Sequence, residues 1–308
     1  MVDHAAPPVV IESTGADTGQ FVTREFQTDT GPRRYKVYIP STYNGSKATP
    51  LVVVLHGCTQ DPDNVARGTR FNQVAEESRV IVAYPEQPAA ANGLKCWNWF
   101  NAAHQKRDQG EPALIAGITR QVMKEMKVDS HRVYIVGLSA GAAMALTVSY
   151  AYPELFAAAG LHSGVAYGIA TSTPEAIRRM GIGAGDSADY AAVVTRGMGV
   201  NKPIPTIVFQ GKSDKTVNPA NADNIVTQLT TGFTESALKV KSESTGITPQ
   251  GYHFSRRVLG NPSLIEEWSV DELGHAWSGG SKAGTYTDER GPDATREIMR
   301  FLLEHKRA

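Results

Sequence analysis

The stretch that decides the fold is Arg132 to Ser149, RVYIVGLSAGAAMALTVS. Val133 to Val136 is a β-branched and aromatic run that stops at Gly137, as a buried strand does. From Ala140 onward the small and apolar residues suit a buried helix. Between them lies Gly137-Leu138-Ser139-Ala140-Gly141, a G-x-S-x-G at a strand-to-helix turn. Such a turn forces its serine into a strained, exposed backbone conformation. Gly137 and Gly141 have no Cβ to collide where strand and helix cross. Ser139 stands at the helix N-terminus, where partial positive charge favours a developing oxyanion. A bare G-x-S-x-G also occurs as a turn without chemistry. Strand before and helix after favour the nucleophile.

On either side, strands and helices alternate. Leu51 to Leu55 is a continuous apolar run, expected of a strand buried on both faces, and it ends in His56-Gly57-Cys58-Thr59-Gln60. Phe71 to Ser78 has helical spacing, Val80 to Tyr84 reads as a short strand, and the loop from Pro85 to Gly93 leads into Cys96-Trp97-Asn98-Trp99-Phe100. Leu114 to Met126 is apolar at helical intervals. Ala157 to Leu161 is the next strand after Pro153 closes the helix of Ser139. Ile204 to Gln210 is another strand, ending in Gly211-Lys212-Ser213-Asp214, and Pro219 to Leu229 a helix.

This pattern predicts an α/β fold with a mostly parallel central sheet and helices on both faces. Two hairpins flank it, Phe21 to Gln27 with Arg33 to Ile39, and Tyr252 to Leu259 with Leu264 to Val270. The second runs into Gly274-His275-Ala276-Trp277, and a helix from Asp293 to Glu304 closes the chain. Residues 1–20 read as a loose Ala/Pro/Thr/Gly-rich leader and 21–308 as one catalytic domain. The Gly/Ser/Thr/Ala-rich part from about 165 to 202, with a short helix around Glu175 to Met180, reads as a lid-like surface excursion.

Composition narrows the partners. Among 308 residues, Lys+Arg and Asp+Glu are equal at 31 each, so no net field gathers nucleic acid or an anionic membrane. A small or uncharged partner is expected. Repeats of fixed period are not evident, no apolar run is long enough to span a bilayer, and Met1 to Pro8 lacks the basic and apolar regions of an export signal. The two cysteines, Cys58 and Cys96, are a disulfide or two buried thiols; neither has a neighbouring ligand at metal-binding spacing, so no metal is expected.

Acyl transfer by a serine needs a base for its proton and an acid to hold that base in the right tautomer, here in the order Ser, Asp/Glu, His. Ser139, Asp214 and His275 meet that order, and the last two each follow a predicted strand, on the sheet edge where ligand sites gather. His4 and His305 lie near the termini, His131 precedes a strand, His253 lies within one, and His104 sits in a charged loop. Asp186 and Asp189 fall in the irregular excursion, and Asp271 is an alternative acid rather close in sequence to His275. The oxyanion hole takes the N–H of Ala140 and, from its position after the Leu51 strand, that of Cys58. A cysteine nucleophile is the weaker rival, since neither cysteine opens a helix with an evident partner. His56 and His162, at strand ends, and Trp97, Trp99 and Trp277, on loops beside the catalytic elements, are candidates for shaping a pocket for an uncharged or aromatic ester.

LVVVLHGCTQDPDNVA, AYPEQ, CWNWF, GLSAGAAMA, AYPELFAAAGLHSG and GHAWSGGS together resemble the poly(3-hydroxybutyrate) depolymerase family of α/β-hydrolase esterases, related to feruloyl and acetylxylan esterases. The resemblance runs over nearly the whole chain from Phe21. It implies an α/β-hydrolase fold, Ser139, Asp214 and His275 as the triad, a covalent Cys58–Cys96 pair, no cofactor, and a small, oligomeric or polymeric ester as substrate. It also implies an extracellular setting, whereas the chain as written has no signal peptide and leaves a cytoplasmic one open. The expectation is a serine esterase acting on hydroxyalkanoate esters. Feruloyl or acetylxylan esters are the alternative substrates, and an inactive binding protein of the same fold is the alternative from another class.

Overall fold

The strand that delivers Ser139 lies in the middle of the sheet. The protein is seen as a computed structural model that describes residues 18–183, 204–231 and 238–307. Ten strands form one sheet: β1 (Gln20–Thr28), β2 (Gly31–Ile39), β3 (Thr49–Leu55), β4 (Ile81–Pro85), β5 (Val128–Leu138), β6 (Ala158–His162), β7 (Thr206–Gly211), β8 (Val240–Ile247), β9 (His253–Leu259) and β10 (Ile265–Val270). Their spatial order is β1-β2-β4-β3-β5-β6-β7-β10-β9-β8. The run from β4 to β10 is parallel throughout, and antiparallel strands close both edges.

The continuous apolar runs follow from having helices on both faces. Leu51, Val53 and Leu55 of β3 and Val133 and Ile135 of β5 face one core, shared with α3 (Gly110–Glu125), α4 (Ala140–Ala151) and α6 (Ala220–Thr230). Val52, Val54, Tyr134 and Val136 face the other, shared with α1 (Pro62–Thr69), α2 (Phe71–Ser78) and α7 (Ala294–Leu303). A strand with alternate side chains in two cores has no polar face to offer.

One α-helix and three strands were not anticipated. Helix α1 begins at an Asp61 side chain that accepts from the Asn64 N–H at 2.9 Å, with Pro62 as its first residue, so the Asp-Pro start signal was there to be read. Strand β8 is almost wholly exposed and carries no apolar alternation. β11 (Trp277–Ser278) and β12 (Thr287–Asp288) form a two-residue parallel pair too short for any pattern.

The surface excursion expected from residue 165 needs correcting at its start. Val165, Ala166, Tyr167, Ile169 and Ala170 are buried, because Tyr167 is tied down by its N–H to Gln228 Oε1 at 2.8 Å and by its hydroxyl to Gln105 O at 2.9 Å. Helix α5 (Thr173–Ile182) follows, mostly exposed. The remainder of the excursion, 184–202, and residues 1–17 of the expected leader lie outside the described residues.

Candidate active site

Ser139 sits at φ 55°, ψ −119°, a left-handed conformation that a non-glycine adopts only when its surroundings hold it there. What holds it is the crossing of β5 and α4. A Cβ on Gly137 would lie 2.2 Å from the Gly141 carbonyl, and one on Gly141 would lie 2.3 Å from Leu55 O. Both positions require glycine, so the two residues that define the motif are set by sterics. The Ser139 N–H is fixed in turn by His162 O at 2.9 Å.

Loops after β7 and β10 bring the other two groups. They are pressed together where a Cβ on Gly211 would lie 2.2 Å from Leu273 O, and Ser213 N–H donates to that same carbonyl at 3.1 Å. His275 Nε2 stands 3.0 Å from Ser139 Oγ, and His275 Nδ1 stands 2.7 Å from Asp214 Oδ2. Asp214 is buried, and its Oδ1 accepts from the N–H groups of Thr216 at 2.8 Å and Val217 at 2.9 Å. Burial opposes its ionisation, but the hydrogen bonds from His275 and from those two amides outweigh it and hold the carboxyl below its usual range. An ionised Asp214 accepts the Nδ1–H of His275, which leaves Nε2 with its lone pair toward Ser139. Asp271 stands elsewhere, in an exposed ion pair with Lys212 Nζ at 2.8 Å.

The loop after β3 lies over the start of α4. Among its N–H groups, Gly57 donates to Gln60 Oε1 at 2.8 Å, Thr59 to Leu94 O at 2.6 Å and Gln60 to Gly57 O at 3.4 Å. Among the described residues, the N–H groups of Cys58 and of Ala140, the first residue of α4, have no hydrogen-bond partner. Cys58 is joined to Cys96 by a disulfide. Among the described residues no cluster of His, Cys, Asp or Glu could hold a metal ion, and no helix is long and apolar enough to cross a membrane.

Residues 33–245 match the family described as Esterase PHB depolymerase. The chain belongs to that family. It is 31% identical over 274 residues to poly(3-hydroxyalkanoate) depolymerase C of Paucimonas lemoignei, covering 88% of this chain and 65% of that protein. To feruloyl esterase B of Thermothelomyces thermophilus it is 25% identical over 249 residues, covering 78% of this chain and 82% of the relative. Among solved structures, the acetyl xylan esterase from Aspergillus awamori superposes with a TM-score of 0.69 at 21% identity, over 82% of this chain and 93% of that one. The fold is the α/β-hydrolase fold of these esterases.

The expected pocket residues of this esterase-family chain are placed differently. Trp97, Trp99 and Trp277 are all buried, so none forms an open wall beside Ser139. Trp97 lies 5.7 Å from the His56 ring, and Trp99 packs edge-on against Phe100. Trp277 stacks on His162 at 4.9 Å, meets Phe71 edge-on and donates its indole N–H to Thr295 Oγ1 at 3.0 Å. A tryptophan offers so much apolar area that a loop closing over a sheet edge buries it in preference to leaving it in water.

His56 and His162 also need correcting, since both are fully buried under the site and do not line it. Burial lowers the pKa of His56 to about 4 and of His162 to about 3, so both rings are neutral. His162 stacks between Phe209 and Trp277 and accepts the Ser278 N–H at Nε2, 3.0 Å away. Its backbone thus holds the Ser139 turn while its ring holds the loop that follows His275. Thr59 and Tyr286 were not anticipated. Thr59 is exposed and Tyr286 is 45% exposed; their hydroxyls are 3.2 Å apart, and the Tyr286 ring meets His275 edge-on at 6.3 Å. Like Ser139, both have positive φ, 63° and 54°. Nothing in the polar stretch around Tyr286 signals this position, which depends on the β11–β12 contact with Trp277 N–H donating to Tyr286 O at 2.7 Å.

Proposed function

We propose that the protein is a serine carboxylic ester hydrolase that works through an acyl-enzyme. The observation that carries this reading is the unbroken chain from Ser139 Oγ through both nitrogens of His275 to Asp214, built on a strained turn. In acylation, His275 Nε2 takes the Ser139 proton as Oγ attacks the ester carbonyl, and Asp214 stabilises the resulting imidazolium. The oxyanion receives the Cys58 and Ala140 N–H groups. Collapse of the intermediate breaks the ester C–O bond, and His275 returns the proton to the departing alcohol. Water then follows the same course: His275 removes its proton, the hydroxide attacks the acyl carbon, and Ser139 leaves with the proton restored. No cofactor enters.

The preferred substrates are hydroxyalkanoate esters or their oligomers, a reading supported by the depolymerase relative at 31% identity. The chain spans 65% of that protein's length, so attack on solid polymer is a separate matter from ester hydrolysis. Feruloyl or acetylxylan esters are the second reading, favoured by the likeness to feruloyl esterase B and to an acetyl xylan esterase structure. A disulfide next to the proposed oxyanion donor suits an oxidising compartment, which favours an extracellular setting over a cytoplasmic one. An inactive binding protein would have no need of the strained turn or the ordered triad.

Ser139→Ala should fold normally and lose several orders of magnitude in turnover, about the scale seen when triad serines are removed. A fluorophosphonate should label Ser139 stoichiometrically. Hydrolysis by the alanine variant near the wild-type rate, or no adduct on the folded wild type, would overturn the assignment. Rates on 3-hydroxybutyrate oligomers, feruloyl esters and acetylated xylan would then separate the substrate readings.

A further inference from the structure

The peptide that carries one proposed oxyanion donor is held from behind by a buried histidine. His56 Nδ1 lies 2.7 Å from Gly57 O, and His56 Nε2 lies 3.0 Å from the Gln87 N–H. A backbone N–H can only donate, so Nε2 is the acceptor. The proton of the neutral ring is therefore on Nδ1, which donates to Gly57 O. The Gly57–Cys58 peptide is trans, and in a trans peptide the C=O and the N–H point to opposite sides. A carbonyl pinned toward His56 leaves the Cys58 N–H directed away from it, and that N–H has no partner among the described residues.

Further contacts keep the arrangement in place. Gln87 is fully buried, its side chain receiving Arg33 Nη2 at 2.8 Å and donating to Cys96 O at 3.0 Å and to Glu111 Oε1. Glu111, buried at the start of α3, also takes the Asn98 N–H at 2.7 Å and the Asn98 side chain at 2.7 Å. The residue that sets the His56 tautomer is thus anchored to both the Arg33 strand and the far half of the disulfide. Without the His56 bond, a rotation of the Gly57–Cys58 unit would turn a carbonyl lone pair toward the reacting centre and remove the donor.

We infer that His56 is a positioning residue for the oxyanion hole: its Nδ1–H clamps Gly57 O and so aims the Cys58 N–H at the substrate carbonyl. This rests on the serine-hydrolase reading above. It predicts a separation between two amide replacements. The side-chain N–H of His56→Asn can occupy the place of Nδ1 and keep the bond to Gly57 O. His56→Gln reaches the place of Nε2, keeps a partner for Gln87 N–H and leaves Gly57 O with only the longer bond from the Gln60 N–H at 3.4 Å.

With p-nitrophenyl acetate, His56→Gln should lose about 100-fold or more in kcat, the scale of one lost oxyanion donor, with KM within about twofold. His56→Asn should recover most of that loss. Equal losses in the two variants, or a loss in His56→Gln that falls on KM, would overturn the inference. The wild-type protein supplies a measurement that needs no folded variant: 15N shifts of the His56 imidazole should report the Nδ1–H tautomer from pH 6 to 8, and an Nε2–H ring would also overturn it. Ser139→Ala separates this from the function itself. If that variant keeps its activity the hydrolase reading fails, whereas with Ser139 essential and His56→Gln fully active only the positioning role fails.

Discussion

Replacing Trp277 tests whether the tryptophan beside His275 belongs to the substrate or to the core. The side chain is 1% exposed, stacked on His162, edge-on to Phe71 and hydrogen-bonded to Thr295. Trp277→Phe keeps an aromatic ring in the stack and loses one neutral hydrogen bond, a cost of about 1 to 2 kcal/mol with the missing volume included. Trp277→Ala opens a cavity, and burial of some 200 Å2 at about 25 cal/mol/Å2 puts its cost at about 3 to 5 kcal/mol. An unfolding entropy near 2.1 cal/mol/K per residue over 308 residues converts 1 kcal/mol into about 1.5 °C, so the expected drops in Tm are about 2 to 3 °C and about 5 to 8 °C. Calorimetry gives Tm, and kcat/KM on p-nitrophenyl acetate and on a hydroxybutyrate trimer gives the functional effect. Both substrates should suffer equally, because the lost contacts support the His275 loop and touch neither acyl nor alcohol. An unchanged Tm with a loss confined to the trimer would refute this reasoning and return Trp277 to the substrate wall.

Asp214→Asn should lower kcat by about 10,000-fold, since an amide no longer selects the Nδ1–H tautomer of His275. Asp271→Asn, which breaks only an exposed ion pair with Lys212, should leave steady-state rates within about twofold. Reducing the Cys58–Cys96 disulfide releases a 38-residue separation and should destabilise by about 4 kcal/mol on the chain-entropy account. It should also lower kcat by loosening the Cys58 loop, and two thiols alkylated in the unreduced native protein would refute the link. His56 and His162 are neutral in the folded state down to pH values of about 4 and 3, whereas both take up protons below about 6.5 when unfolded. The unfolded state therefore binds more protons, so stability falls as pH drops from about 6.5 toward 4, by up to about 1.4 kcal/mol per pH unit for each histidine. Urea unfolding at pH 7 and pH 5 measures this directly, and equal stabilities would contradict the buried neutral rings.

What the sequence determined by itself lies where a local constraint is strong. A strand buried on both faces must be apolar throughout, which made β3 and β5 readable from Leu51 to Leu55 and Val133 to Val136. Gly137 and Gly141 are steric necessities of the turn between β5 and α4, so the place of Ser139 was legible before any contact was known. The order of Ser139, Asp214 and His275 was legible too, since each follows a strand of the parallel sheet. Tertiary structure alone decided which way the loops at that sheet edge turn their side chains. It set the 2.7 Å contact of Asp214 with His275, where the loops after β7 and β10 meet at Gly211 and Leu273. It drew Trp97, Trp99 and Trp277 inward, and it set His56 and His162 beneath the site as neutral clamps. It also raised Tyr286 to the rim, through the pairing of two-residue strands far too short to leave a pattern. A strand face or a helix start is fixed by neighbours within a few residues, whereas a loop side chain is fixed by whichever distant surface closes over it. The residues that decide that closure here, such as His162 with Ser278 or Thr59 with Tyr286, are more than a hundred positions apart.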